Sequence, residues 1–363
     1  MSPGKRILNS GFPIPQLGFG TWQSAPGEVG TAVYEALKAG YRHLDLALMY
    51  VPGFLSPGLA GSSSKFSPSG SITNLHAIIS YRNQKEIANG IQKAYKDIPG
   101  LKREDLFITS KLWNSQHHPE DVAAALDICL EQIGTEYLDL YLVHWPVAFQ
   151  RGDLLLPVAS SSSSDRGDVL IDDSISMVDT WKAMTELPKQ KVRSVGVANH
   201  NVHQLENIIK GSGVTPSVNQ IERHPHLRSD DLIDYCAEHG IHVTAYSPLG
   251  NNVIGDPLVI NHPVVKEVAE SASKRLGQTV TGANVVIAWA QVGGHSVIPK
   301  SVKPSRILDN FKEIVLTEEE IQAVDAIGKD RKRYNIPFCY YKPRWDVNIF
   351  DEAVEKIATS RAF

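Results

Sequence analysis

The sequence predicts an α/β protein built as one (β/α)8 barrel, eight parallel strands each followed by a helix. Two observations carry that expectation. Eight short β-rich runs recur along the chain, and amphipathic helical stretches separate them. A doubly wound dinucleotide fold is the competitor, and it would want G-x-G-x-x-G after the first strand. The early run Gly18-Phe19-Gly20-Thr21-Trp22 has no third glycine at the needed place.

In chain order the strand candidates are QLGFGTW (16–22), RHLDLAL (42–48), DLFITSKLW (105–113), YLDLYLVHW (137–145), VRSVGVAN (192–199), PSVNQIE (216–222), IHVTAYSPL (241–249) and HSVIPK (295–300). Several are apolar at both alternating positions, as strands buried on both faces tend to be. The helical stretches are VGTAVYEALKAG, NQKEIANGIQKAY, HPEDVAAALDICLEQIG, MVDTWKAMTEL, NVHQLENIIKG, LRSDDLIDYCAEHG and PVVKEVAESASKRLG. Several of them end in Gly, the usual helix stop.

At 363 residues and 39.9 kDa the chain can bury a sizeable core without disulfide staples. Hydrophobic residues at 42% and charged residues at 21% place it among ordinary soluble proteins. Lys plus Arg number 36 against 40 for Asp plus Glu, so the basic excess of a nucleic-acid binder is missing. No apolar run approaches the roughly 20 residues of a membrane span. The opening MSPGKRILNSGFPIPQ lacks the apolar stretch of a secretory signal. Cys129, Cys236 and Cys339 are odd in number and dispersed, which indicates neither a disulfide framework nor a thiolate metal cluster. A reducing compartment, the cytoplasm, is expected.

Two segments break the rhythm. Residues 147–178 form a long connection containing the run Ser160 to Ser164. Residues 51–80 are rich in Gly, Ser and Pro and read as a surface loop without helical periodicity. A loop of that length is uncommon inside a compact domain.

In a barrel of this kind the active site is built at the C-terminal ends of the strands. Those ends carry Asp45 and Tyr50, Lys111, and His144. Singly, each has an ordinary structural reading, as helix cap, packing ring, solvated charge or core histidine. Together they suit proton donation to a carbonyl oxygen. A tyrosine with a pKa of about 10 is a poor acid at neutral pH. A lysine ammonium about 4 Å away, at an effective dielectric of about 20, favours the phenolate by roughly 4 kcal/mol, at most about 3 pK units. Asp45 would hold Lys111 charged and oriented, and His144 would bond the substrate oxygen or assist the transfer. None of these groups supplies a hydride, so a nicotinamide cofactor is implied.

Seven motifs stand in order along the strands: Gly40-Tyr41-Arg42-His43-Leu44-Asp45, Thr109-Ser110-Lys111-Leu112-Trp113-Asn114, Leu142-Val143-His144-Trp145-Pro146, Val197-Ala198-Asn199, Val218-Asn219-Gln220, Ala245-Tyr246-Ser247-Pro248-Leu249-Gly250 and Ile298-Pro299-Lys300-Ser301. Through them the chain resembles the aldo-keto reductase superfamily from about residue 10 to 350. The resemblance implies a TIM barrel with an N-terminal β-hairpin and long loops on the C-terminal face. It implies NADP(H) bound in extended form, and Asp45, a Tyr, Lys111 and His144 as a catalytic tetrad.

It also distributes the cofactor. Tyr246 would stack on the nicotinamide, and Asn199 and Gln220 would offer amides to its carboxamide. Ala198 stands where many relatives carry Ser, so one hydrogen bond there is expected to be missing. Gly20, Thr21 and Trp22 would lie beside the nicotinamide, and Ser247, Leu249 and Gly250 along the pyrophosphate. Lys300, Ser301 and Arg306 suit a 2′-phosphate, which favours NADPH over NADH. Asp309 and Asn310 would face the adenine. Trp22, Trp113, Trp145 and Phe149 would line an aromatic substrate pocket with His144, at least one of them as plain packing. The segment from Tyr334-Asn335-Ile336-Pro337-Phe338 through Ile349-Phe350 resembles a tail that closes the pocket.

The segment after the second strand departs from the family. Relatives place the catalytic Tyr five residues after the Asp and directly before a helix that begins like Asn-Gln-x-Glu. Tyr50 has the spacing, whereas Tyr81 has the continuation Arg82-Asn83-Gln84-Lys85-Glu86-Ile87. Removing residues 50–80 would satisfy both with Tyr81. The segment reads as a translated retained intron. Met49-Tyr50-Val51 can be encoded with an internal GTATGT, Thr73-Asn74 with CTAAC, and Ser80 with a terminal AG. Splicing would remove whole codons in number and turn Met49 into Ile. For the chain as written, Tyr50 is the expected proton donor and Tyr81 the alternative.

The function read from the sequence is an NADPH-dependent carbonyl reductase, a monomer acting on small aldehydes, ketones or sugars, with polyol oxidation as the reverse reaction. Two rivals are a non-catalytic NADPH-binding or redox-sensing barrel and a metal-dependent hydrolase. The second would need His117-His118 or His224-Pro225-His226, which read instead as exposed loop histidines. No resident metal is expected.

Overall fold

The computed structural model describes residues 4–25, 27–46, 72–152, 154–158, 167–251 and 255–362, without the side chains of 72–83. An antiparallel hairpin opens the chain, β1 (Lys5–Ile7) with β2 (Pro13–Pro15). Eight parallel strands follow, in sheet order as in sequence: β3 (Phe19–Gly20), β4 (His43–Asp45), β5 (Phe107–Leu112), β6 (Leu138–Val143), β7 (Val192–Ala198), β8 (Val218–Glu222), β9 (His242–Tyr246) and β10 (Ser296–Val297). Each lies inside one of the eight runs expected from the sequence. Backbone hydrogen bonds close the sheet. Val297 N donates to Gln16 O at 2.8 Å, Gly18 N to Val297 O at 2.9 Å and Gly20 N to Pro299 O at 3.1 Å.

Around the sheet lie α1 (Val29–Ala39), α2 (Ile72–Asp97), α3 (Pro119–Ile133), α4 (Met177–Thr185), α5 (Val202–Ser212), α6 (Asp230–Glu238), α7 (Pro263–Leu276), α8 (Gly282–Gln291), α9 (Pro304–Asn310) and α10 (Glu318–Asp325). The main core fills the space between sheet and helices. A smaller cluster of Leu8, Ile14, Phe107, Leu140, Leu142 and Val218 lies where the hairpin plugs the N-terminal end of the barrel. Strand alternation then aims the same faces upward at the other end. Phe107, Thr109 and Lys111 share a face, as do Leu140, Leu142 and, one step past the strand, His144. The plug leaves the C-terminal ends as the open end.

Two sequence expectations need correction, and helix α8 was not foreseen. Residues 72–80 are helical rather than loop, forming the first turns of α2. Ile72, Leu75 and Ile79 are spaced by three and four, a helical period hidden among Ser and Thr. Helix α5 does not stop at Gly211 but runs on to a left-handed cap at Gly213, φ 74°. Gly211 serves packing, since a Cβ there would meet Val178 Cγ1 at 2.6 Å. Helix α8 had no amphipathic signature because Asn284 to Ala290 are buried all round.

Helices α1 and α2 cross where Gly30 and Gly90 meet backbone to backbone, leaving no room for a Cβ on Gly90. The chain beyond the barrel forms α11 (Pro337–Tyr340), β11 (Val347–Asn348) and β12 (Ser360–Arg361), with β11 and β12 parallel. No helix among the described residues is long and apolar enough to cross a membrane.

Three histidines set an acid limit on this fold. His43, His117 and His200 are each at most 2% exposed. Burial pushes His43 and His200 down to about 4 and His117 down to about 3. The unfolded chain binds protons near pH 6.5 and the folded chain does not. Stability is therefore full above that pH and is lost as pH falls toward 4, by up to about 1.4 kcal/mol per unit for each group. The melting temperature at pH 5 is expected roughly 10 °C or more below that at pH 7.5, by calorimetry. A pH-independent melt over that range would contradict the burial of these rings.

Candidate active site

A cavity of about 350 Å³ opens at the C-terminal ends of the strands. Asp45 ends β4 and is 4% exposed, and Lys111, one residue before the end of β5, is 3% exposed. The Lys111 ammonium donates to both Asp45 oxygens at 2.8 Å and to the Leu46 carbonyl at 3.1 Å. Gln220 Nε2 donates to the same Asp45 Oδ1 at 2.8 Å. The buried carboxylate and ammonium therefore compensate one another with their hydrogen-bonding capacity largely used, as a buried pair requires.

His144 follows β6 and borders the same cavity. Its protein surroundings, then the Lys111 charge and His117, hold its pKa well below the ordinary imidazole value. It is neutral at physiological pH. Its Nδ1 has no hydrogen-bond partner among the described residues. The Trp113 ring stands edge-on to it at 5.2 Å, anchored by its indole N–H on Leu155 O at 2.6 Å.

The far wall comes from the next strands. Asn199, in a left-handed conformation at φ 61°, donates from Nδ2 to His144 O at 2.9 Å. Its Oδ1 accepts from the Tyr246 hydroxyl at 2.6 Å. Burial, then neighbouring Glu222, raises the Tyr246 pKa far above the ordinary phenol value, so this hydroxyl stays protonated. Ser247 at φ 50° and Gly250 at φ 80° turn the chain back over the cavity. Gly20 closes the opposite side, where a Cβ would meet Ile298 O at 2.9 Å. The Lys300 ammonium reaches across to Gln23 O at 2.7 Å, and burial lowers its pKa.

The cavity thus gathers most of the residues singled out from the sequence. Asp45, Lys111, His144, Trp22, Trp113 and Trp145 line it, as do Gly20, Asn199, Gln220, Tyr246, Ser247, Leu249, Gly250 and Lys300. Thr21 sits behind the wall with its hydroxyl on Asp45 O at 3.0 Å. Ser301, Arg306, Asp309 and Asn310 lie outside this cavity. Arg306 is exposed, Asp309 is bonded to Lys312 at 2.6 Å, and Asn310 is 6% exposed. Phe149 does not line the pocket but is fully buried, 4.7 Å from the Trp345 ring. Tyr50 and the side chain of Tyr81 lie outside the described residues.

Sequence reasoning missed Gln23, Asn251, Leu258 and Ile298 as lining residues, and Tyr341 within the tail. Only the aromatic run of the tail hinted at Tyr341. The histidines suggested for a metal are not exposed loop residues. His117 and His224 are fully buried, and His224 is bonded to Glu222. Among the described residues, no three His, Cys, Asp or Glu side chains are grouped to hold a metal ion.

Comparison with known proteins gives the class to which this closed parallel barrel belongs. The family model described as "Aldo/keto reductase family" matches residues 16–329. The chain belongs to the aldo/keto reductase family. It is 51% identical over 363 residues to the D/L-glyceraldehyde reductase of Hypocrea jecorina, covering all of this chain and 99% of that protein. It is 38% identical to aldo-keto reductase family 1 member A1 of Xenopus tropicalis, over 91% of this chain and 90% of that protein. The aldose reductase from Schistosoma japonicum superposes with a TM-score of 0.73 at 34% identity, over 91% of this chain and 93% of that one.

Proposed function

We propose that this chain is an NADPH-dependent oxidoreductase that reduces aldehydes, ketones or sugars to alcohols and oxidises polyols in reverse. The observation that carries the reading is the buried Lys111–Asp45 pair beside a neutral His144 at the floor of one cavity. The similarity to a glyceraldehyde reductase supports a small carbonyl substrate.

The residues present fit a nicotinamide nucleotide. Gly20 keeps the floor free of a side chain, and Tyr246 and Trp22 offer flat apolar walls. Gly250 and Ser247 bring backbone close to where a pyrophosphate would thread, and Lys300 offers a cation. When bound, that cofactor supplies the hydride. The chain's own residues handle the proton. Lys111, oriented by Asp45, stabilises the phenolate of the tetrad tyrosine, Tyr50 or in its place Tyr81, which passes its proton to the carbonyl oxygen. His144, being neutral, orients that oxygen by a hydrogen bond and does not carry the proton. Tyr246 is excluded as the acid by its bond to Asn199 and its raised pKa.

The same reading includes a cytoplasmic monomer and one domain over 1–363, with 50–80 as a translated retained intron. A cDNA population holding only the long form, from a gene without GTATGT at that place, overturns the intron reading.

Loss of reduced-nicotinamide absorbance with a panel of aldehydes tests the activity, and no turnover with either coenzyme would sink it. Coenzyme choice is tested by Lys300→Met. NADPH affinity is expected to fall about 10- to 100-fold by fluorescence titration while NADH affinity stays within about twofold. An equal loss for both coenzymes would remove Lys300 from the 2′-phosphate.

A further inference from the structure

A second carboxylate with three hydrogen bonds stands near the cavity, and the proton chemistry does not use it. Glu222 ends β8, two residues after Gln220 and on the same face of the strand. Gln220 lines the cavity, and Glu222 bonds to the backbone of Asn335, which lines it too. The Glu222 side chain is fully buried, as is that of His224 beside it. Its Oε1 accepts from His224 Nε2 at 2.9 Å and from the Tyr334 backbone N–H at 2.7 Å. Its Oε2 accepts from the Asn335 backbone N–H at 2.9 Å. Burial alone would raise this carboxyl. The His224 hydrogen bond and the His224 and Arg333 charges outweigh it and hold the group ionised. The His224 ring also lies 4.8 Å from the Tyr334 ring.

Tyr334 and Asn335 are where the C-terminal tail leaves the barrel wall and enters the cavity rim. Asn335 and Tyr341 then line the cavity. Beyond Tyr341 the tail packs through Trp345, 5.3 Å from Trp145 and 4.7 Å from Phe149, and Arg344 pairs with Asp168 at 3.0 Å while its carbonyl accepts the Val169 N–H at 2.8 Å. Further on, Ile349 O accepts from Gln204 Nε2 at 2.8 Å and from Asn201 Nδ2 at 3.2 Å. An apolar contact is non-directional and lets a segment slide. Two consecutive N–H groups on the two oxygens of one carboxylate fix both position and orientation.

We propose that Glu222 is a positioning residue that seats the tail as the outer wall of the cavity and so sets the size of carbonyl compound the site accepts. The substrate part rests on the reductase reading above, whereas the seating of the tail does not.

Glu222→Gln keeps the shape but leaves only one accepting oxygen, so one backbone N–H faces an amide NH₂. Hydrogen exchange at the Tyr334 and Asn335 amides is expected to quicken at least about tenfold, since these protons lose a charged acceptor. In turnover, KM for glyceraldehyde rises about tenfold and kcat stays within about twofold. KM for a bulky aromatic aldehyde is unchanged or falls, because the tail touches the pocket's outer part and not the proton chain. Glu222→Asp, one methylene shorter, shifts both readouts the same way by less, and serves if the Gln variant does not fold. Glu355→Gln is the control. That buried carboxylate takes the backbone N–H groups of Ile349, Phe350 and Glu352, and none of these four residues lines the cavity. It should lower stability and leave the ratio of the two KM values alone.

Unchanged exchange at both amides, or an unchanged KM ratio in both Glu222 variants, overturns the proposal. So does an equal shift of the ratio in Glu355→Gln, which would mean general loosening. If the unaltered chain turns over no aldehyde, the reductase reading and the size-selection claim fall together. Exchange at the two amides then decides the seating of the tail by itself.

Discussion

Joining Ile, in place of Met49, directly to Tyr81 is expected to raise aldehyde turnover about 100-fold over the full-length chain. The family spacing from Asp45 to the tyrosine and the helix that follows it are both restored only in the short form. A misplacement of about 1 Å at the proton donor is enough for a loss of that size. The deletion keeps the described packing of α2 from Gln84 onward. The first described side chain of α2, Gln84, is already fully buried with its amide N–H on Cys129 Sγ, and Ile87 and Ile91 lie in the core. The Gly30–Gly90 crossing sits further along the same helix. Closure entropy favours the shorter connection by on the order of 1–2 kcal/mol. The short form should therefore melt no lower. Steady-state rates and melts of the two forms decide it, and equal activity would mean that Tyr50 serves and the insertion is tolerated.

Lys111→Met should lower kcat/KM by about a thousandfold. The ammonium is worth at most about 3 pK units to the phenol it faces. The same change strands the Asp45 carboxylate, which keeps only Gln220 and loses both bonds to the ammonium. Breaking such a pair from one side costs about 3–5 kcal/mol of stability. The double variant Lys111→Met with Asp45→Asn should regain most of that stability without regaining activity. Single-turnover rates, calorimetry and coenzyme titration separate the two effects. A double variant as unstable as the single one would show that the pair is not the source of the loss. Activity within about tenfold of the parent in the single variant would remove Lys111 from the proton chain.

The catalytic-end residues were legible because strand periodicity marks which side chains share a face. His43 and Asp45 are two apart, as are Thr109 and Lys111, and an apolar run ending in a polar group marks the place where a barrel strand emerges. What that reasoning could not see is partner choice. Asn199 and Gln220 were expected to offer amides to the nicotinamide carboxamide, and nothing in the sequence showed that one is also tied to His144 O and the Tyr246 hydroxyl and the other to Asp45. Those partners lie on other strands, and nothing in local spacing encodes them. Gln23 and Ile298 were missed for the same reason, since they reach the cavity only because β3 and β10 meet when the sheet closes.

The sequence by itself determined the order of the eight strands and of helices α1 to α7, because both-face apolar runs and amphipathic stretches are local patterns. It determined several helix ends for a similar reason. Gly40, Gly134 and Gly277 all adopt the left-handed conformation that a side chain would resist, at φ 114°, 70° and 64°. It also determined which chemistry the strand ends could carry. Tertiary structure alone decided that His144 is neutral, because desolvation by surrounding protein sets that and no neighbour in sequence does. It decided that Phe149 packs on Trp345 instead of lining the pocket. It decided that a glutamate at the end of β8 holds a segment more than a hundred residues later in the chain. Burial and long-range hydrogen bonds are properties of the closed barrel, and they exist only once its ends have met.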